Sequence, residues 1–205
     1  MALRIIITAL VCYFLGNHNG AICVSLMLGD DVRSHGSGNA GLTNFIRNFG
    51  ANRALLVIAI DVFKAVLACL LGGLMFPEYA IAGRTLGGVA VMLGHDFPAL
   101  QGFRGGKGIL SGVTVALMMD WRLGLFVFGI FLVAYLLTGY VSLGSVLSSG
   151  SFGFIYAIFH WGMWFPIIVG FSLSALIVWM HRGNIKRLIK GEERKTNLLG
   201  KGKNK

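Results

Sequence analysis

The chain has 205 residues, of which 56% are hydrophobic and 13% are charged, and its formal net charge is +10. Soluble globular domains carry about 25% charged residues, so this composition excludes an ordinary soluble domain and indicates an all-α integral membrane protein. The excess cations lie at the ends of apolar segments and in the C-terminal tail. That placement favours contact with anionic lipid headgroups over binding of nucleic acid.

Seven membrane-spanning helices are predicted. A spanning helix needs about 20 apolar residues, and five segments approach that length: 3–28, 54–76, 121–137, 141–159 and 164–180. Two shorter apolar segments are predicted to be partial or re-entrant helices, or helices shielded by their neighbours: 81–93 and 109–119.

The distribution of cations predicts the orientation of these spans. Cytoplasmic segments of membrane proteins carry an excess of Lys and Arg. With the N-terminus outside and the C-terminus cytoplasmic, only three cations face outside: Arg4, Arg84 and Arg122. The inner face then holds nine tail cations together with Arg33, Arg47, Arg53, Arg104 and Lys107. We divide the chain into a polytopic membrane domain, 1–185, and a basic cytoplasmic tail, 186–205.

Few polar side chains interrupt the apolar segments. Asp61 and Lys64 are three residues apart, which places them on one helix face and fits an ion pair. We expect this pair to stabilise the helix packing or to support a site. Ion coupling in a transporter is the alternative. His18 is either a functional polar group or the mark of a helix break.

No disulfide or metal site is expected from the cysteines, which lie in apolar stretches without CxxC spacing: Cys12, Cys23 and Cys69.

The first polar block is 36–47, with the sequence GSGNAGLTNFIR. Its glycines match G-x-G-x-x-G, but a dinucleotide site needs a preceding strand, and the neighbours here are membrane helices. A helix starting at Asn39 would place Thr43 and Arg47 on one face and direct free N–H groups at an anion. Ordinary glycine-rich turns are the alternative, but they leave the crowd of polar side chains unexplained. We therefore predict phosphate binding.

The second polar block combines 94–98 (GHDFP) with 104–108 (RGGKG). It differs from a nucleotide-binding P-loop at both ends, because Gln101 stands where the first glycine is required and Gly108 where Ser or Thr is required. A third group closes the last span, where His181 and Asn184 are three residues apart and can face the same way. The predicted topology places all three groups at the cytoplasmic face.

Together these motifs resemble the acyl-phosphate:glycerol-3-phosphate acyltransferases, the small bacterial membrane enzymes of the PlsY family. The resemblance covers nearly the whole chain and rests on the two blocks, on Tyr140-Val141-Ser142-Leu143, on His181-Arg182-x-Asn184-Ile185-x-Arg187, and on Asp61-x-x-Lys64. The chain departs from the family pattern at Leu42, at Gly139, at Met180 and at Asn17-His18-Asn19.

The resemblance implies seven spans and transfer of a fatty acyl group from acyl phosphate to the 1-hydroxyl of glycerol 3-phosphate, early in phospholipid biosynthesis. It implies an active site at the cytoplasmic face of the bacterial inner membrane. No cofactor, metal, coenzyme A, acyl carrier protein, nucleic acid or obligate protein partner is implied.

Site residues follow from the same resemblance. Glycerol 3-phosphate is expected to be held by Ser37, Arg47, Lys107 and Asn184. The acyl-phosphate head is expected to contact Asn39, Thr43, Ser142 and the backbone of Gly105, Gly106 and Gly108, with Gly38 and Asn44 also in the substrate site. His181 is expected to orient or deprotonate the attacking hydroxyl, and the substrate's own phosphate is an equal candidate for the base.

Two other functions fit the sequence less well. Acyl-CoA- or acyl-carrier-dependent acyltransferases use a His with an Asp five residues later, and no histidine of this chain has that partner. A membrane anion or phosphate transporter would use similar cations and glycines, but its ligand residues should lie near the midplane, often in two related halves. No internal repeat is visible in the sequence.

Overall fold

The computed structural model describes residues 1–196 of the chain. Within this range the regular structure is helical, and the α-helices are joined by short loops and single 3₁₀ turns. In chain order they are α1 (Ala2–Gly16), α2 (Gly20–Met27), α3 (Leu42–Phe49), α4 (Ala51–Met75), α5 (Ala80–Asp96), α6 (Ile109–Met119), α7 (Trp121–Thr138), α8 (Val141–Phe159), α9 (Trp164–Met180) and α10 (Arg182–Ile189).

Between three and five of these helical units are long and apolar enough to cross a bilayer. Among the described residues, α4, α7 and α8 qualify alone, and the bent pairs α1–α2 and α9–α10 bring the number to five. The remaining candidates of the predicted seven are α5, with 17 residues, and α6, with 11. The all-α membrane architecture agrees with the sequence, while the count of seven and the orientation of the termini stay predictions.

The predicted first span, 3–28, is broken in the structure. α1 ends at Gly16, α2 starts at Gly20, and the two axes differ by 43°. The break forms because the Asn19 side chain caps α2, accepting a hydrogen bond from Ile22 N–H at 3.1 Å. The exposed His18 therefore sits at a helix break, which was one of its two predicted explanations.

Large apolar side chains cover much of the outer surface. Exposed fractions reach 77% at Leu74, 81% at Leu137, 64% at Phe154 and 63% at Ile168. In water so large an apolar surface would promote aggregation, whereas in a bilayer it contacts lipid tails. The pattern fits helices packed inside a membrane.

The bundle interior relies on close backbone contact between α4 and α5. A Cβ added at Gly83 would lie 2.2 Å from the Gly72 carbonyl oxygen, and one added at Gly72 would lie 2.1 Å from the Gly83 carbonyl oxygen. Small residues allow membrane helices to approach closely enough for extensive van der Waals contact. This contact aligns α4 with α5, the helix that leads into the second polar block.

We expect Gly83→Ala to destabilise the protein by about 1–3 kcal/mol, because the new methyl group has no room beside the Gly72 carbonyl. The readout is the thermal unfolding midpoint in detergent. Gly129→Ala is the matched control, since an added Cβ there meets nothing within 4 Å. Equal midpoints for the two variants would show that the α4–α5 contact is not tightly packed.

Candidate active site

The first polar block forms a tight loop followed by a short helix. Gly36 and Gly38 adopt φ values of +58° and +70°, which side-chain-bearing residues rarely adopt. The buried Asn44 side chain ties the loop together: it accepts the Ser37 N–H at 3.1 Å and reaches backbone carbonyls at 3.0–3.1 Å, those of Val32, His35 and Asn39. Asn44, expected in the substrate site, thus contacts the backbone of the loop and the Asn48 side chain, whose Nδ2 donates to Asn44 Oδ1 at 3.1 Å.

The helix of this block begins later than predicted. α3 starts at Leu42 rather than Asn39, because Gly41 stays extended as its N-cap residue. Thr43 and Arg47 lie one turn apart on α3, as predicted. The Arg47 guanidinium donates to the Thr196 hydroxyl, which belongs to a segment that folds back from the end of α10.

The glycines of the second block pack against the end of α5. Gly105 N–H donates to the Asp96 carbonyl at 3.2 Å and Gly106 N–H to the His95 carbonyl at 3.1 Å. These two N–H groups, expected to meet a phosphate, are therefore already occupied. A Cβ at position 105 would lie 2.1 Å from the His95 carbonyl oxygen, so glycine is needed there for the close approach. Gly108, at φ +66°, is the N-cap of α6.

The two glycine-rich blocks are neighbours in space. Arg33 Nη1 donates to the Gln101 carbonyl at 2.7 Å and lies 3.4 Å from the Arg104 carbonyl. Gly106 also faces the first block, since a Cβ there would lie 3.0 Å from the Ala40 carbonyl oxygen. Segments 68 to 71 residues apart in the sequence thus form one surface.

Lys107 stands at the centre of a polar cluster with the last helices. Its ammonium group donates to Asn184 Oδ1. The Asn184 amide nitrogen donates to Glu193 Oε1 at 2.8 Å, and Arg187 Nε donates to Glu193 Oε2 at 2.6 Å. Glu193 therefore fixes which end of the Asn184 amide faces Lys107. The buried Ser142 hydroxyl, at the start of α8, lies near this carboxylate and has no hydrogen-bond partner among the described residues.

Arg187 and Glu193 were not predicted from the sequence to be site residues. Arg187 carried a usable signal, because it lies three residues after Asn184 on the same helix. Glu193 carried none, since it lies in a stretch of mixed charge that was assigned to the tail. The described part of that tail, up to Thr196, forms the end of α10 and then packs beside the cluster, where Thr196 N–H donates to the Gly139 carbonyl at 3.0 Å. Expectations for 197–205 lie outside the described residues.

Burial shapes the ionisation of this cluster. Desolvation, with Arg187 and Arg182 nearby, lowers the pKa of Lys107 to about 8. Desolvation, with the charge of Lys107, lowers the pKa of His181 to about 4, so its imidazole is neutral at pH 7. His181 Nδ1 donates to the Ile177 carbonyl at 2.8 Å, which leaves Nε2 as a free acceptor.

The predicted residues do not all meet in one place. Lys107 and Asn184 are in direct contact, and the charge of Lys107 acts on His181. Ser37 lies exposed on the first loop, and within residues 1–196 its hydroxyl makes no hydrogen bond to the cluster. It borders the cluster only through the contact between the two glycine-rich blocks.

An apolar groove of about 700 Å³ runs along the outside of the bundle between α7 and α8. One end is lined by Thr138, at the end of α7, and Leu143, in the first turn of α8. The other end is lined by Leu125 and Phe126. The groove therefore leads from the polar cluster along the lipid-facing surface.

Comparisons with known proteins agree with this architecture. A family model described as glycerol-3-phosphate acyltransferase matches residues 6–191. A glycerol-3-phosphate acyltransferase of Thermoanaerobacter sp. (strain X514) is 40% identical over 191 residues, covering 93% of this chain and 94% of the relative. Glycerol-3-phosphate acyltransferase 1 of Deinococcus radiodurans is 36% identical over 197 residues, covering 95% and 97%.

The chain belongs to the glycerol-3-phosphate acyltransferase family. Two crystal structures of PlsY, an integral membrane glycerol 3-phosphate acyltransferase, share its fold. The glycerol 3-phosphate form has a TM-score of 0.85 at 29% identity, and the lysophosphatidic acid form 0.82 at 28%; each match covers 95% of this chain and 96% of the other. The protein is thus a multi-pass membrane acyltransferase of phospholipid biosynthesis that uses glycerol 3-phosphate.

We expect the KM of this acyltransferase for glycerol 3-phosphate to rise as the pH increases through about 8, because Lys107 then loses its charge. The substrate phosphate, with a second pKa of about 6, is already a dianion in that range and contributes no change. Lys107→Arg stays charged, so its KM should start higher and stay flat from pH 7 to about 9.5. Steady-state kinetics across this range provide the measurement, and an equal rise in both proteins would contradict the assignment to Lys107.

Proposed function

We propose that this acyltransferase takes its acyl group from acyl phosphate and transfers it to the 1-hydroxyl of glycerol 3-phosphate, releasing lysophosphatidic acid and inorganic phosphate. The observation that carries the proposal is the convergence of Lys107, Asn184 and Arg187 beside two glycine-rich blocks. Such a surface suits two phosphate groups held side by side. The likeness to PlsY in a glycerol 3-phosphate form and a lysophosphatidic acid form supports it.

The chemistry asks little of the protein beyond binding and alignment. Acyl phosphate is a mixed anhydride, so its carbonyl carbon is already activated. The 1-hydroxyl oxygen forms a bond to that carbon, the bond from the carbon to the bridging phosphate oxygen breaks, and the hydroxyl proton ends on phosphate. Holding both reactants in line supplies about 7–11 kcal/mol of barrier reduction in favourable cases. No covalent enzyme intermediate is required.

The proposed roles follow the cluster and the two blocks. Lys107 and Arg47 supply positive charge to glycerol 3-phosphate, with Ser37 and Asn184 as hydrogen-bonding partners. Thr43, Asn39 and Ser142 contact the acyl-phosphate head. Gly105 and Gly106 shape the loop in front of Lys107 rather than donating their N–H groups, which are used by α5. The N-terminus of α6, after Gly108, offers free N–H groups in their place.

His181 is better suited to orienting the hydroxyl than to removing its proton. With its pKa lowered to about 4, the imidazole is a weak base at pH 7, and general bases work best with a pKa near the working pH. A substrate phosphate, with a second pKa of about 6, is the stronger base. His181 Nε2 accepts the hydroxyl hydrogen bond before reaction and so orients the oxygen. As the oxygen bonds to the carbonyl carbon, the hydroxyl turns its hydrogen to the phosphate, which takes the proton.

The acyl chain has an obvious place in this arrangement. The groove between α7 and α8 starts near the first turn of α8, where Leu143 lines it, and its lining is mainly apolar side chains. An acyl chain bound there stays in contact with lipid tails while its phosphate reaches the cluster. The proposed topology has seven spans with the N-terminus outside, which places the cluster at the cytoplasmic face of a bacterial inner membrane.

Within residues 1–196, the fold gives the transporter alternative no specific support. Asp61, its proposed coupling residue, is locked in a buried ion pair with Lys64 at 2.7 Å. The candidate ligand residues lie at helix ends and in loops rather than along the helices.

We expect Lys107→Ala and Arg47→Ala to lower turnover about ten- to a hundredfold, and Ser37→Ala up to about tenfold, since hydrogen bonds to charged groups are worth about 1.5–3 kcal/mol and neutral ones less. The assay is phosphate release by purified protein in detergent, which should require both acyl phosphate and glycerol 3-phosphate. Unfolding midpoints serve as the folding control.

Wild-type turnover in all three variants would refute the proposed site. Activity with acyl-CoA but none with acyl phosphate would refute the proposed donor. Glycerol 3-phosphate flux into sealed vesicles without any turnover would favour the transporter.

A further inference from the structure

A buried polar network lies in the bundle interior beneath the two glycine-rich blocks. Its members are Asn19, Asp61, Lys64 and His95, and each is at most 4% exposed. They come from the α1–α2 break, from α4 and from α5. Burying so many polar and charged groups is costly unless each finds partners, so the network calls for an explanation beyond simple packing.

One half of the network completes the helix break. Lys64 Nζ donates to the His18 carbonyl at 3.0 Å and lies 3.4 Å from the Gly16 carbonyl oxygen. Asp61 Oδ1 accepts the Gly20 N–H at 3.0 Å. The ion pair therefore satisfies backbone groups that the break leaves without helical partners.

The other half reaches the glycine-rich blocks through His95. Lys64 Nζ lies 2.8 Å from His95 Nδ1. Because an ammonium group only donates, Nδ1 accepts, and a neutral His95 imidazole carries its proton on Nε2. Nε2 lies on the side of Gly106, where an added Cβ would come within 2.2 Å of it. The second block thus rests directly on the imidazole ring.

Asn19 extends the contact to the first block. Its side-chain nitrogen donates to the Ala40 carbonyl at 3.0 Å and lies 3.4 Å from His95 Nε2. The Ala40 carbonyl in turn faces Gly106. Both blocks therefore rest on the same pair of buried side chains.

We propose that His95 is a positioning residue that, together with Asn19, sets the separation between the two phosphate-binding blocks. It touches no substrate. It acts by supporting the backbone at Gly106, next to Lys107, in register with Ala40 of the first block. This inference rests on the proposed function and adds to it a residue that fixes the distance between the two anions.

The test compares His95→Ala with a buried control on the same helix, Thr85→Val. Thr85 is fully buried, and its hydroxyl lies 3.2 Å from the Tyr156 hydroxyl, on the far part of α5 from the blocks. We expect His95→Ala to raise the KM for glycerol 3-phosphate about tenfold or more, because small displacements of binding groups are costly. Thr85→Val should leave this KM unchanged even where it lowers the unfolding midpoint.

Two conservative replacements sharpen the test. Gln at position 95 places an amide near the position of Nε2, whereas Asn places one near Nδ1. His95→Gln should restore the KM to within about threefold of the wild-type value, and His95→Asn should restore less. A purely structural polar residue predicts no such order.

A double-mutant comparison examines the contact itself. Gly106→Ala drives a methyl group into the imidazole, so it should raise the KM in the wild-type background. In the His95→Ala background the ring is gone, and the same change should have a smaller effect. Equal effects in the two backgrounds would overturn the inference.

Binding of glycerol 3-phosphate is also measured without any donor, from the rise it causes in the unfolding midpoint. This separates the two claims, because inactivity of the wild-type protein with acyl phosphate refutes only the proposed donor. The positioning role is refuted if His95→Ala binds glycerol 3-phosphate like the wild type, or if Thr85→Val weakens binding as much.

Discussion

Two phosphate groups that react beside each other repel, and the proposed chemistry depends on overcoming that repulsion at a membrane surface. Two unit charges about 4 Å apart interact by about 4 kcal/mol at an effective dielectric constant of 20, and each phosphate carries up to two charges. Cations and N–H dipoles therefore have to surround the pair. No single helix end can provide them, so the fold has to bring distant segments to one face.

In the proposed site, a cation that is partly removed from water meets this requirement. Burial lowers the pKa of Lys107 to about 8, which costs stability but leaves an ammonium group with few competing water molecules. Asn184 holds this group in place, and Glu193 holds Asn184. The glycine-rich loop before Lys107 rests on His95, whose other contacts lead to the Lys64–Asp61 pair and the break between α1 and α2. The helix break and the buried ion pair are thus linked to the proposed site by a continuous chain of contacts.

Much of the helical framework was predictable because apolar segments of a given length leave few alternatives. The bounds of α6, α8 and α9 match those predicted from the sequence. The pairing of Asp61 with Lys64 was predictable from their spacing, since a three-residue separation aligns them on a helix. A helix break was only one of two predicted explanations for the polar residue His18, because the apolar segment continues on both sides of it.

Other parts of the site depend on chain reversals that the sequence does not encode locally. The direction of the Gly105 and Gly106 N–H groups depends on how the loop folds back over α5. The local sequence therefore could not show whether these groups are free to bind phosphate. Glu193 joins the cluster only because the chain turns back after α10. The late start of α3 reflects the extended backbone of Gly41, which composition alone does not reveal.

The central claim is that three distant segments meet at one face of the membrane. Single cysteines at the exposed positions Ser37, Arg104 and Arg182, in a variant with the three native cysteines replaced by serine, report their sidedness. Labelling with a membrane-impermeant thiol reagent in inverted and right-side-out vesicles should modify all three from the cytoplasmic side, and a cysteine at Arg122 from the other. Labelling of any two of the three from opposite sides would contradict a shared site.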